Sequence, residues 1–192
     1  MSGDFRILRD LGFTPEIATE LGHMCVAWAA LEWRLFSLYH AMTDAPTAIA
    51  RAAFYSHFSA RDRLSLTLST AHMVLRGSQK REAAFAALEK LAGKVRKTAA
   101  KPNSYIHNPW AMEPGKPETL SQFQLGGDDI HGRGKRVSQK DLSQLTDQIV
   151  SWTELVRGLE ERILPLLPAS LGKLDRTRAA TLVFAPSRGR GR

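Results

Sequence analysis

Apolar residues recur at alternating spacings of three and four along two long segments of the chain. The first segment follows Thr14-Pro15-Glu16, and its apolar positions are Ile17, Leu21, Met24, Trp28, Leu31, Leu35, Leu38 and Met42. The second follows Ser138, and its apolar positions are Leu142, Leu145, Ile149, Trp152, Val156, Leu159, Ile163 and Leu166. Such spacing places every apolar residue on one side of an α-helix. Thr14 and Ser138 are typical N-caps, and the pattern predicts two long helices, each buried along one face.

The chain between these segments predicts three more helices. A short helix is expected over residues 46–58, and Ser59 and Gly77 bound the next one. Within it, Leu64, Leu66 and Leu68 alternate as in a strand, but the length and the flanking residues favour a helix. Ser78 begins the third, whose apolar face is Ala84, Leu88, Leu91 and Val95. We expect it to end near residue 100, because Pro102 disfavours its continuation.

Residues 101–137 are rich in proline and glycine and interrupt the helical pattern. Within them, residues 110–113 and 119–125 have the weak alternation of a small hairpin. The helices must bury their apolar faces against one another, which predicts an all-α fold. The expected architecture is an antiparallel four-to-five-helix bundle with a small hairpin-like insertion before the last helix.

The net charge of +8 is concentrated at the end of the chain. Residues 169–192 contain six basic residues and one acidic residue. We therefore predict a bundle domain over residues 1–168 and a basic, disordered tail over residues 169–192. A basic tail attracts polyanions through counterion release, although it can also serve solubility alone. The single cysteine, Cys25, excludes an intramolecular disulfide framework, and we expect a cytoplasmic protein without a membrane span.

Motifs for several common chemistries are missing from the sequence. Gly127 and Gly132 have the glycine spacing of a phosphate-binding loop, but Arg133 follows where lysine is required, so this segment is predicted to be a basic turn. The sequence has no HExxH and no GxSxG motif. The adjacent Asp128 and Asp129 are more typical of a solvated loop than of a metal site. We expect no cofactor and no metal.

The segment from Lys101 to Trp110 is the densest in reactive side chains. A histidine can transfer protons near neutral pH, and an asparagine can orient a phosphate. A histidine between two helices can equally be exposed and without function. The candidate catalytic residues are His107, Asn103 and Lys101. The candidate RNA-binding residues are Arg96, Lys97, Arg133, Lys135 and Arg136.

Three short motifs occur in order along residues 15–167. They are Trp28-Ala29-Ala30-Leu31-Glu32, then Asn103-Ser104-Tyr105-Ile106-His107, and finally Val137-Ser138-Gln139-Lys140-Asp141-Leu142 at the start of the last long helix. In this order they resemble the HEPN superfamily, with its W-x-x-L-E and R-N-x-x-x-H motifs. Many of its members are prokaryotic ribonucleases, toxins and defence proteins. The resemblance implies a helical homodimer in which an arginine and a histidine cleave RNA without a metal.

The resemblance also shows where this chain departs from the family. His107 matches the motif histidine and Asn103 the polar residue after the arginine, but Pro102 stands at the arginine position. Proline offers neither charge nor donor to a phosphate. One hypothesis is therefore a catalytically weak domain that binds RNA or a cognate partner protein. The alternative is an active endoribonuclease in which Lys101 or Arg96 supplies the cation. A third is a bundle that serves only in a protein assembly.

Overall fold

A computed structural model describes residues 14–107, 110–113, 116–122 and 135–167. Within these ranges the fold is an all-α helical bundle, as predicted, with a small antiparallel sheet inserted before the last helix. The helices are α1 (Pro15–Ala41), α2 (Thr47–Tyr55), α3 (Ala60–Val74), α4 (Gln79–Thr98), α5 (Ala100–His107) and α6 (Gln139–Ile163). The strands are β1 (Trp110–Glu113), β2 (Lys116–Gln122) and β3 (Lys135–Ser138), and a 3₁₀ turn (Leu164–Leu166) follows α6.

Hydroxyl side chains cap the starts of four helices, as the sequence predicts. Thr14, Ser59 and Ser78 each accept a hydrogen bond from the backbone amide three residues on. At α6 the capping box is complete, because Ser138 accepts from the Asp141 amide while the Asp141 carboxylate accepts from the Ser138 amide. These bonds satisfy amides that have no partner within the helix.

The predicted apolar stripes of α1 and α6 form the centre of the core. All of their residues are buried except Leu21 and Leu166, which are partly buried and pack against it. These two helices share the most extensive helix–helix contact of the described chain. Each fully buried aliphatic side chain contributes roughly 1.5–3 kcal/mol, so these stripes make a large contribution to the folding free energy. Burial of apolar side chains also explains why the segment with the strand-like alternation of Leu64, Leu66 and Leu68 forms the helix α3.

Two polar contacts fasten α1 to its neighbours. On the α6 side, the Ser37 hydroxyl donates to the Glu160 carboxylate at 2.6 Å, and Arg34 lies 3.6 Å from the same group. On the α3 side, the Arg63 guanidinium donates to Glu32 at 2.6 Å. The carboxylates of Glu160 and Glu32 are both mostly shielded from solvent. Leaving either of them without a partner would therefore destabilise the fold.

The segment after residue 100 begins as a helix, so the prediction of a loop starting at 101 was wrong for its first seven residues. Pro102 has no amide to donate to the Thr98 carbonyl, which interrupts the helical hydrogen-bond ladder. The backbone at Ala99 nevertheless keeps helical dihedral angles, with φ −55° and ψ −26°. As a result, α5 continues from α4 after a single intervening residue.

The predicted hairpin is present as β1 and β2, which pair antiparallel from Trp110 opposite Gln122. A third strand, β3, pairs with β2 and was missed because four residues are too few for a periodic signal. Val137 of β3 is buried and joins the sheet to the bundle core. No helix in the described ranges is long and apolar enough to cross a membrane. The predicted tail, residues 169–192, lies outside the described residues.

Candidate nucleic-acid interface

Helix α5 carries the three candidate catalytic residues, and one of its sides is buried in the core. Pro102 and Tyr105, three positions apart, are both buried, and Tyr105 is only 6% exposed. Burial raises the pKa of the Tyr105 phenol, and the nearby Asp141 carboxylate raises that pKa further. Tyr105 therefore lies near the first turn of α6. This face of α5 belongs to the core.

The positions of Asn103 and His107 lie on the other side of α5. Residues four apart in a helix differ by only about 40° around its axis, so these two positions share one side. Both are more than about 120° from the mean direction of Pro102 and Tyr105. Their side chains lie outside the described part of the structure. Lys101 is exposed, and its position is about 120° or more from both of theirs around the helix axis.

Four lysines form a row along the outer surface of α4 and into α5. Lys90, Lys94, Lys97 and Lys101 follow one another at spacings of four, three and four, and all four are exposed. We call them the lysine row. Lys97 and Lys101 were already candidates in the sequence, whereas Lys90 and Lys94 were missed. The sequence did contain a signal for them, because these lysines recur at the same three- and four-residue spacing as the apolar residues on the other side of α4.

Arg96 points to a different flank of α4. Its guanidinium Nη2 donates to the Ser65 hydroxyl of α3 at 3.0 Å, and that hydroxyl donates in turn to the Arg61 carbonyl at 2.9 Å. In this conformation the cation is directed toward α3. The hypothesis that Arg96 substitutes for the missing motif arginine would therefore require this exposed side chain to rotate away from Ser65.

The remaining RNA-binding candidates lie in or near β3. Lys135 and Arg136 pair in register with Gln122 and Ser121 of β2, at the edge of the sheet. Their side chains are outside the described part of the chain. Arg133 and the adjacent Asp128 and Asp129 also lie outside the described residues.

The residues of the first motif have structural contacts in this fold. Trp28 and Leu31 are buried in the core, as the apolar stripe predicts. The Glu32 carboxylate accepts from Arg63, whose Nε also donates to the His57 carbonyl at 2.9 Å. This motif therefore joins α1 to α3 and the loop before it.

One outer face of α1 is exposed and without charge. Gly22, Val26, Ala29 and Trp33 share this face at spacings of four, three and four, and we call them the α1 face. Val26 is 60% exposed and Trp33 is 37% exposed. Trp33 therefore lies on a different face of α1 from the buried Trp28.

Within the described residues, no group of three or more histidine, cysteine or acidic side chains could hold a metal ion. The fold and the site thus define a helical bundle with a basic outer row that leads to a short motif-bearing helix. Comparison of the chain with protein-family models, curated proteins and solved structures gives no match.

Proposed function

We propose that this chain is a cytoplasmic HEPN-like domain that forms a homodimer, binds RNA and cleaves it weakly or not at all. The observation that supports RNA binding is the arrangement of α5. Its buried side belongs to the core, where α5 contacts α1 and α4, while the positions of Asn103 and His107 share the opposite side, and exposed Lys101 precedes Asn103 by two residues. An amide, an imidazole and an ammonium group are all able to contact an RNA phosphate.

The weak catalysis follows from Pro102. The motif arginine would stabilise the charge that develops on phosphate during cleavage, and removal of one such donor typically costs about 10²–10³ in rate. Pro102 is buried against the core, so this position provides neither a guanidinium nor a surface for one. Lys101 can supply charge but lacks the forked geometry of arginine.

The test uses the purified full chain and a labelled single-stranded RNA in EDTA. We expect binding that weakens as salt rises, with little or no cleavage. His107→Ala should weaken binding, whereas His72→Ala, which removes an exposed histidine on α3, should leave it unchanged. If the chain fails to bind RNA even at low salt, the RNA-binding proposal is wrong, and the bundle functions in a protein assembly.

An active endoribonuclease using His107 is the alternative. It is favoured by the shared side of positions 103 and 107 with Lys101 close by in the chain. EDTA-resistant cleavage that disappears in His107→Ala and persists in His72→Ala would establish it. That result would show that Lys101 or another cation compensates for Pro102.

The α1 face supports the proposed homodimer. Two copies of a chain with net charge +8 repel each other. A dimer interface is therefore most favourable on a surface that carries no charge. Residues 21–31 contain no lysine, arginine, aspartate or glutamate. Small residues at positions 22 and 29 permit close approach of a second helix, and Trp33 is a residue type typical of interface anchors.

We expect Val26→Asp to convert the dimer into a monomer, because two carboxylates would be buried next to each other across the twofold axis. The matched control is Val150→Asp, which changes an exposed valine of α6 that lies outside the α1 face. Sedimentation or light scattering measures the masses. A wild-type monomer, or a dimer that survives Val26→Asp, would contradict the assignment of this face.

A further inference from the structure

We propose that the lysine row is a phosphate-binding track for a single strand of RNA that leads along α4 to α5. This inference rests on the proposed RNA binding and names the residues that hold the backbone of the strand. Two of them, Lys90 and Lys94, belong to no motif of the sequence.

The lysine row is as long as a short stretch of RNA backbone. At 1.5 Å rise per residue, the row extends about 16 Å along the helical axis from Lys90 to Lys101. At roughly 3.4 Å per phosphate of one strand in a duplex, this length corresponds to on the order of four or five phosphates, and to fewer in an extended strand. The helical dihedral angles at Ala99 keep Lys101 in line with the lysines of α4.

Among the residues that the structure describes, none of the four lysines of the row forms an ion pair. Lysines at spacings of three and four repel one another and destabilise the helix that carries them. The helix dipole favours cations only in the last turn, which accounts for Lys97 but not for Lys90, two turns earlier.

The surface of α4 around the lysine row differs from a typical protein interface. Protein interfaces are organised around buried aromatic or aliphatic anchors. The exposed large apolar side chains of the described structure lie on α1, α2, α3, α6 and the loop before α3, and none lies on α4. The row therefore presents charge without apolar anchors, which suits a phosphate backbone and not the surface of an acidic protein.

The closing experiment compares variants that remove equal charge. Lys90→Gln/Lys94→Gln removes two lysines that lie away from α5. The control, Lys80→Gln/Arg162→Gln, removes two exposed cations at the other end of the bundle, where the start of α4 meets the end of α6. Binding to a fluorescent twelve-nucleotide oligouridine is measured by anisotropy at several salt concentrations. Circular dichroism confirms that each variant is folded.

We expect the row variant to bind RNA about tenfold more weakly and to lower the salt slope by about 1.4, which is the value for two phosphate contacts with a single strand. Adding Lys97→Gln and Lys101→Gln should lower the slope by about 2.8 in total. The control should keep the wild-type affinity and slope within about twofold.

Three results would overturn or separate the proposals. Unchanged affinity and slope in the row variant, with wild-type binding intact, would refute the track while leaving RNA binding in place. Failure of the wild type to bind the oligonucleotide at low salt would refute the proposed function itself. Binding of polyglutamate of matched charge as tightly as RNA, with the same loss in the row variant, would assign the row to an acidic polypeptide instead.

Discussion

At the scale of single residues, Glu32 of the first motif has a structural role, because it pairs with Arg63 of α3. Their atoms approach to 2.6 Å, and only about a fifth of either side chain is exposed. Arg63 also donates to the His57 carbonyl and lies 5.1 Å from the centre of the Tyr55 ring. Of these three partners only Glu32 is charged. Its removal would leave the shielded Arg63 guanidinium without an opposite charge in these contacts.

We predict that Glu32→Ala lowers the free energy of unfolding by about 1–3 kcal/mol, since hydrogen bonds to charged groups in shielded positions are worth this much. The control is Glu154→Ala, which removes an exposed partner of Arg157 at 2.7 Å and should cost at most about 0.5 kcal/mol. Urea unfolding at neutral pH measures both. Equal losses in the two variants would show that the shielding of Glu32 has no energetic effect.

At the scale of elements, Pro102 decides how the fourth helix ends and where the candidate site begins. Sequence rules treat proline as a helix terminator. Here the chain remains helical through it, because Pro102 and Tyr105 bury one side of α5 in the core, where α5 contacts α1. The gain from that burial exceeds the loss of a single backbone hydrogen bond.

Pro102→Ala should join α4 and α5 into one helix and raise the free energy of unfolding by about 1 kcal/mol, because alanine restores the amide that bonds the Thr98 carbonyl. Pro165→Ala is the matched control, since Pro165 lies in the first turn of the 3₁₀ segment, where no amide is needed. Thermal unfolding followed by circular dichroism compares them. A lower melting temperature in Pro102→Ala would mean that the packing of the proline ring outweighs the hydrogen bond.

At the scale of the whole molecule, the α1 face and the lysine row lie on different sides of the bundle. Both α1 and α4 pack against α3 and against α6, which places them at opposite corners of the helical core. Their outward surfaces therefore point in different directions. A second copy on the α1 face and an RNA strand on the lysine row can be bound at the same time, which makes the two proposals independent of each other.

The basic tail gives a prediction at this scale. Deletion of residues 169–192 removes six basic residues and one acidic residue, which is more than half of the net charge of +8. We expect lower RNA affinity and a smaller salt slope, because fewer counterions are released on binding. Anisotropy with the same oligouridine checks this, and the effect should add to that of the lysine-row variant. Full retention of affinity would show that the tail does not contact RNA.

The sequence by itself determined every described helix except α5, together with the helix caps and most of the core. The three- and four-residue spacing from Ile17 to Met42 and from Leu142 to Ile163 is a local property of the chain, and burial of these stripes requires a helical bundle whatever their neighbours are. The hairpin between β1 and β2 was also visible as a local alternation. The lysine row was predictable in principle, since its period is that of the helix.

Features that depend on contacts between residues distant in the sequence were decided only by the tertiary structure. Ser65 sets the direction of Arg96, and Arg63 gives Glu32 its role. Burial against the core, where α5 contacts α1, sets the helical state of residues 100–107. The short strand β3 exists because β2 supplies its hydrogen bonds and the core accepts Val137. None of these partners is near in sequence, so no local pattern encodes them, and their energies appear only when the chain is folded.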